Sequence, residues 1–156
     1  MQLIRGQKLK LSDVLNNSLS FSLATTPPSN LNLDIALFGL DSQGKLSDEA
    51  YMIFYNQPQS PCSSLKLTQN DSQIVSFDVN LATLTPQIER LVLTLTIDGH
   101  QTMAQLPAMA INLQSQQQTV ASFPIDGSMF QQEKALMALE LYKKDNIWRM
   151  NAVGQG

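Results

Sequence analysis

The chain has 156 residues, 43% of them hydrophobic, enough for a single domain spanning 1–156 with its own core. Its 10 Lys and Arg against 13 Asp and Glu give a formal net charge of −3, and the basic residues are scattered apart from Arg5-Lys8-Lys10, so no nucleic-acid footprint is expected. No apolar run approaches about 18 residues, no signal-peptide core opens the chain, and one cysteine, Cys62, allows no internal disulfide; a cytoplasmic protein without membrane insertion is the expectation.

Alternation of apolar and polar residues dominates from the N-terminus onward, the mark of half-buried strands. "LKLS" (Leu9 to Ser12) and "SLSFSLA" (Ser18 to Ala24) read as strands, the second with Leu19, Phe21 and Leu23 on one face. "TTPPSN" interrupts the pattern with two prolines, which cannot donate to a ladder. "LNLDIALFGLD" (Leu31 to Asp41) is the next strand; its inward set is either Leu31, Leu33, Ile35 and Leu37 or the opposite parity around Phe38 and Leu40. "DSQGK" is a turn, and "AYMIFYN" (Ala50 to Asn56), nearly all apolar or aromatic, reads as a core strand.

"LKLTQNDSQIVSFDVNL" (Leu65 to Leu81) holds two strands split by a polar pinch at Gln69-Asn70-Asp71-Ser72-Gln73. A helical turn fits Pro86 to Arg90, and "LVLTLTID" (Leu91 to Asp98) is the strongest strand, with Thr94 and Thr96 sharing a face. "AMAINLQSQQQTVASFPI" reads as a hairpin bending at Gln116 to Gln118. "MFQQEKALMALELYKK" (Met129 to Lys144) fits an amphipathic helix, with Met129, Ala135, Leu136, Leu139 and Tyr142 near one face, while its second half fits a strand equally well. "IWRMNAV" closes the chain as a strand. Many strands, frequent turns and little helix predict an all-β fold, a two-sheet β-sandwich with one or two short helices.

Few residues offer chemistry. His100, in a turn after Asp98-Gly99, and Cys62, in a loop without a neighbouring histidine, read as exposed loop residues, because a nucleophile or metal site needs convergent partners. With one histidine and one cysteine, zinc is not expected, and a cation site has to be built from oxygens. The donors near turns are Asp34, Asp41, Asp48, Glu49, Asn70, Asp71 and Asp98, and no short stretch gathers more than two carboxylates, against the roughly six to eight oxygens calcium takes. Asp34, between Leu33 and Ile35, is either a ligand or a hydrogen-bonded structural carboxylate, and Glu140 poses the same question.

Three stretches carry a family resemblance: "LNLDIALFGLDSQGKLSDEAYMIFYNQPQSP" (Leu31 to Pro61), "LATLTPQIERLVLTLTID" (Leu81 to Asp98) and "LELYKKDNIWRMNAVGQG" (Leu139 to Gly156), after a leading "LIRGQKLKL". In this order they resemble the TerD family, named for bacterial tellurium resistance; the terminal AVGQG and the FYNQPxSP run are its most specific marks. The resemblance implies a β-sandwich with short helices, a role in tellurite resistance or general stress response, and no enzymatic activity. It also implies a question about calcium, which several members bind through acidic loops. Gln69-Asn70-Asp71 stands where the family's long acidic loop begins, but the rest of that loop is missing and "SQIV" follows directly. Asn32 replaces the first Asp of the family's DLD, and only Asp34 matches the second. The expectation is therefore a tight turn, no resident cofactor, and calcium binding lost or reduced to a weak remnant at Asp34, Asn70 and Asp71. The function expected is a binding or scaffold module whose partners are other proteins, with exposed apolar area around Met103, Leu106 and Met109 as one candidate contact and core filling as the competing reading of those residues.

Overall fold

The computed structural model describes residues 1–156. Eleven strands run in chain order: β1 (Lys8–Lys10), β2 (Ser20–Thr25), β3 (Leu33–Leu40), β4 (Met52–Ile53), β5 (Leu65–Asn70), β6 (Val75–Asn80), β7 (Arg90–Ile97), β8 (Met109–Ser115), β9 (Gln118–Ile125), β10 (Ala135–Lys144) and β11 (Ile147–Asn151). They form a six-stranded sheet in the order β1-β11-β10-β7-β3-β4 and a five-stranded sheet in the order β5-β6-β2-β8-β9. The strand pairs within both sheets are antiparallel. The fold is the all-β sandwich that the alternation predicts.

That alternation explains which side chains face which way. In β7, Leu91, Leu93, Leu95 and Ile97 are buried while Thr96 stays exposed. Phe21 and Leu23 of β2, Val75, Phe77 and Val79 of β6, and Ile111 and Leu113 of β8 answer them from the other sheet, and one core of 33 buried residues results. Period-2 patterning gives each sheet one apolar face, and two such faces bury each other. In β3 the odd residues point inward: Leu37 is fully buried, Leu33 and Ile35 pack on the core, and Asp34 is exposed on the outer face.

Several expectations are corrected. Leu19 is 52% exposed, because β2 begins only at Ser20 and Leu19 lies on the rim. The first strand stops at Lys10, and Ser12–Leu15 forms α1, the one α-helix. Ala50 to Asn56 is not a continuous strand. The Asp48 carboxylate accepts from the Ala50 N–H at 3.0 Å and starts a 3-10 turn at Glu49–Tyr51. Gln57 Nε2 then donates to Glu49 O at 2.7 Å and to Met52 O at 2.8 Å, folding the segment back so that only Met52–Ile53 joins a sheet. No helix forms at Pro86 to Arg90, where a single turn (Ile88 N–H to Thr85 O, 3.1 Å) leads into β7.

The amphipathic stretch at Met129 to Lys144 is no helix. A 3-10 turn at Gly127–Met129 ends at its first residue, and its second part is β10, the partner of both β7 and β11. A bulge between Met137 and Leu139 brings Ala138 and Leu139 inward in succession, which breaks strict alternation and gives the helix-like spacing. The chain's last residues fill the space beside it: Met137 N–H donates to Gln155 O at 2.7 Å and Gly154 N–H to Ala138 O at 3.2 Å. Met103, Leu106 and Met109 are buried, at 0%, 4% and 9% exposure, so they fill the core and offer no contact surface.

Candidate functional site

The pinch between β5 and β6 is a tight turn. Asp71 N–H donates to Ile74 O at 3.1 Å, closing the loop. Asp71 Oδ1 accepts from the Gln73 N–H and the Ile74 N–H, each at 2.8 Å. These two bonds, Ile74's first and Gln73's second, hold the Asp71 carboxyl below its usual 3.8. An aspartate tying down the backbone two and three residues ahead is the standard chemistry of such turns, and here it occupies one carboxylate oxygen twice over.

Asp34 stands differently. It lies on the outer face of β3, opposite Thr96 of β7. A depression of about 320 Å³ opens there, walled by Asp34, Phe38, Phe54, Tyr55, Asn70 and Thr96 among others. β3 and β7 supply its floor, the folded-back segment after β4 supplies the aromatic wall, and the end of β5 supplies Asn70. Asp34 is the only carboxylate in the lining. The protein's single ion pair is elsewhere, Arg90 Nη1 to Glu140 Oε2 at 2.9 Å, which also accounts for Glu140. Thr94 does not serve Asp34; its hydroxyl donates to Ala36 O at 3.4 Å.

Of the three residues expected to hold a remnant cation site, two therefore share one depression. Asp34 and Asn70 line it, and Asp71 does not. Two of the other acidic candidates, Asp41 and Asp48, serve the backbone locally. Asp41 Oδ1 accepts from the Gln43 and Lys45 N–H groups, both at 2.9 Å. Asp48 caps its 3-10 turn, and Asp98 lies 3.5 Å from Asn32 Nδ2. Nowhere do three or more His, Cys, Asp or Glu side chains converge. His100 is exposed after β7, and Cys62 is an exposed free thiol before β5.

The aromatic wall is what sequence reasoning missed. "AYMIFYN" reads as core, yet Phe54 and Tyr55 lie past the end of β4, and Tyr55 is 71% exposed. The Gln-Pro that follows was the available signal that a strand could not continue through Tyr55. A second, larger groove of about 550 Å³ crosses the outer face of the five-stranded sheet. It is lined mainly by Ser, Thr, Asn and Gln, with Lys66 and with Asp78, whose Oδ1 accepts from Ser22 Oγ at 2.6 Å.

Comparison with known proteins identifies the family and the fold. A family model described as TerD domain matches residues 1–156. Tellurium resistance protein TerD of Serratia marcescens is 27% identical over 152 residues, covering 88% of this chain and 78% of that protein. Tellurium resistance protein TerA of an Alcaligenes species is 30% identical over 105 residues, 67% of this chain but only 30% of that longer protein. General stress protein 16U of Bacillus subtilis (strain 168) is 26% identical over 140 residues, 81% of this chain and 72% of that one. Among solved structures, a homologue of telluride resistance protein (TerD) from Streptomyces coelicolor A3(2) superposes with a TM-score of 0.67 at 15% identity, over 90% of each chain, a likeness of fold.

Proposed function

Since this chain belongs to the TerD domain family, we propose that it is a non-enzymatic binding module of a bacterial tellurium-resistance or general-stress system, working in the cytoplasm through protein partners, with calcium binding lost or weakened. The relatives' names support the physiological part of this reading. The turn at Asp71 carries the part about the ion. Asp71 Oδ1 is committed to two backbone N–H groups, and turning the carboxylate away from them would open the turn. Calcium affinity follows the number and charge of oxygen ligands, and the depression beside it offers one carboxylate.

A second reading, a calcium-binding module with a weak site at Asp34, Asn70 and Asp71, draws on one observation: Asp34 and Asn70 face a common space. In that reading Asp71 gives up its turn to join them. The physiological part is tested by deleting the gene in its host and growing the strain on tellurite. Growth should fall and return when the wild-type gene is restored; growth equal to the parent's would contradict a role in tellurium resistance.

A further inference from the structure

The depression on the outer face of β3 combines one carboxylate with aromatic walls and no cation of its own. Phe54 and Tyr55 meet edge to face, 5.4 Å between centroids at 84°, so their rings present faces in different directions. Tyr55 is 71% exposed, so its ring is open to contact from outside. The protein's two internal cation–π contacts lie elsewhere: Arg5 over Phe130 and Lys143 over Trp148, each 5.9 Å from the ring centroid. The lining contains no Lys or Arg to neutralise Asp34.

We propose that this depression receives a basic side chain, lysine or arginine, from a partner protein. Charge complementarity selects the occupant. A carboxylate on the floor calls for a positive group, and aromatic faces attract an organic cation through the ring quadrupole. Met52, Phe38 and Ala36 offer apolar surface to the aliphatic stem of such a side chain, which buries its methylenes while its charge stays at a polar end. A calcium ion gains nothing from the aromatic wall and finds too few oxygens. The cavity's 320 Å³ lies at the small end of the range for binding pockets, roughly 300 to 1,000 Å³, which suits one side chain better than a large cofactor. The proposal rests on the binding-module reading above and names the chemistry of the contact.

The test is an NMR titration of the intact 15N-labelled protein with the blocked amino acids N-acetyl-lysine methylamide and N-acetyl-arginine methylamide, each against neutral N-acetyl-norleucine methylamide. At least one cationic probe should shift the amides of Asp34, Tyr55 and Thr96 with saturation in the millimolar range, and norleucine should not. Asp34→Asn, at an exposed position that tolerates it, should weaken binding about tenfold. Tyr55→Ala, equally exposed, should weaken it about threefold. Equal shifts from norleucine, binding unchanged in Asp34→Asn, or no shift from either cationic probe would each overturn the proposal. A parallel titration with calcium chloride separates this from the broader reading. Calcium shifts at Asp34 that vanish in Asp34→Asn would overturn the reading of a lost calcium site as well; failure of the cationic probes without calcium binding would overturn only the side-chain proposal.

Discussion

At Asp71 a single carboxylate oxygen holds the N–H groups of Gln73 and Ile74, and the charge stays solvated. The carboxyl's pKa is depressed in the folded protein, by Ile74 first and then Gln73. The resulting stability is fully present above the unfolded value near 3.8 and is lost as pH falls through the folded one. Asp126, held down by the Ser128 hydroxyl and then the Ser128 N–H, and Glu133, through backbone N–H groups, act in the same sense. Asp71→Asn retains an oxygen acceptor but no titration. The drop in melting temperature between neutral pH and about pH 2.5 should therefore be smaller in Asp71→Asn than in the wild type, though modest, because the group is exposed. Equal drops in both would mean that the two N–H bonds do not depend on the charge. The turn itself was legible in the sequence, since Asn-Asp favours this chemistry. Which way Asp34 points was not: both parities of its strand place apolar residues on either face, and only pairing with β7 decides between them.

The hairpins set the register of each sheet, and they use different means. The β5–β6 turn is stabilised by a side chain. The β8–β9 turn has no such side-chain clamp on its loop backbone, and Gln116 and Gln117 are both at positive φ, 52° and 67°. A two-residue loop of this kind prefers Asn-Gly, because residues with a bulky side chain pay for the left-handed region. Gln116→Asn combined with Gln117→Gly should raise stability by about 1 kcal/mol in urea unfolding, with an unchanged m-value. A loss of stability would show that the glutamine side chains hold the turn. The bend was readable from its polar residues between two alternating runs. β10 was not readable in the same way, because the bulge at Ala138 adds an inward residue and mixes the strand period with the helical one. Backbone partners settle the matter there, with β7 on one side and β11 and the terminal Gly154-Gln155 on the other.

For the molecule as a whole, alternation was enough to indicate a sandwich, because each strand carries its own evidence for a buried face. The depression beside Asp34 carries no such local evidence. Its walls come from β3, from the segment after β4, from the end of β5 and from β7, positions that only the folded sheet brings together. What has to be tested at this scale is whether the β5–β6 connection, a plain turn in the fold, leaves the protein without a functioning calcium site. The most direct test is thermal unfolding of chelator-treated protein with and without about 1 mM calcium. A ligand at 100 times its Kd stabilises the native state by about 2.7 kcal/mol, which moves the melting temperature of a domain of this size by roughly 5 to 10 °C. A site lost or weakened as proposed should give no shift of that size. An upward shift of several degrees that disappears in Asp34→Ala would contradict that reading, and would show that Asp34 still assembles a calcium site with the shortened turn.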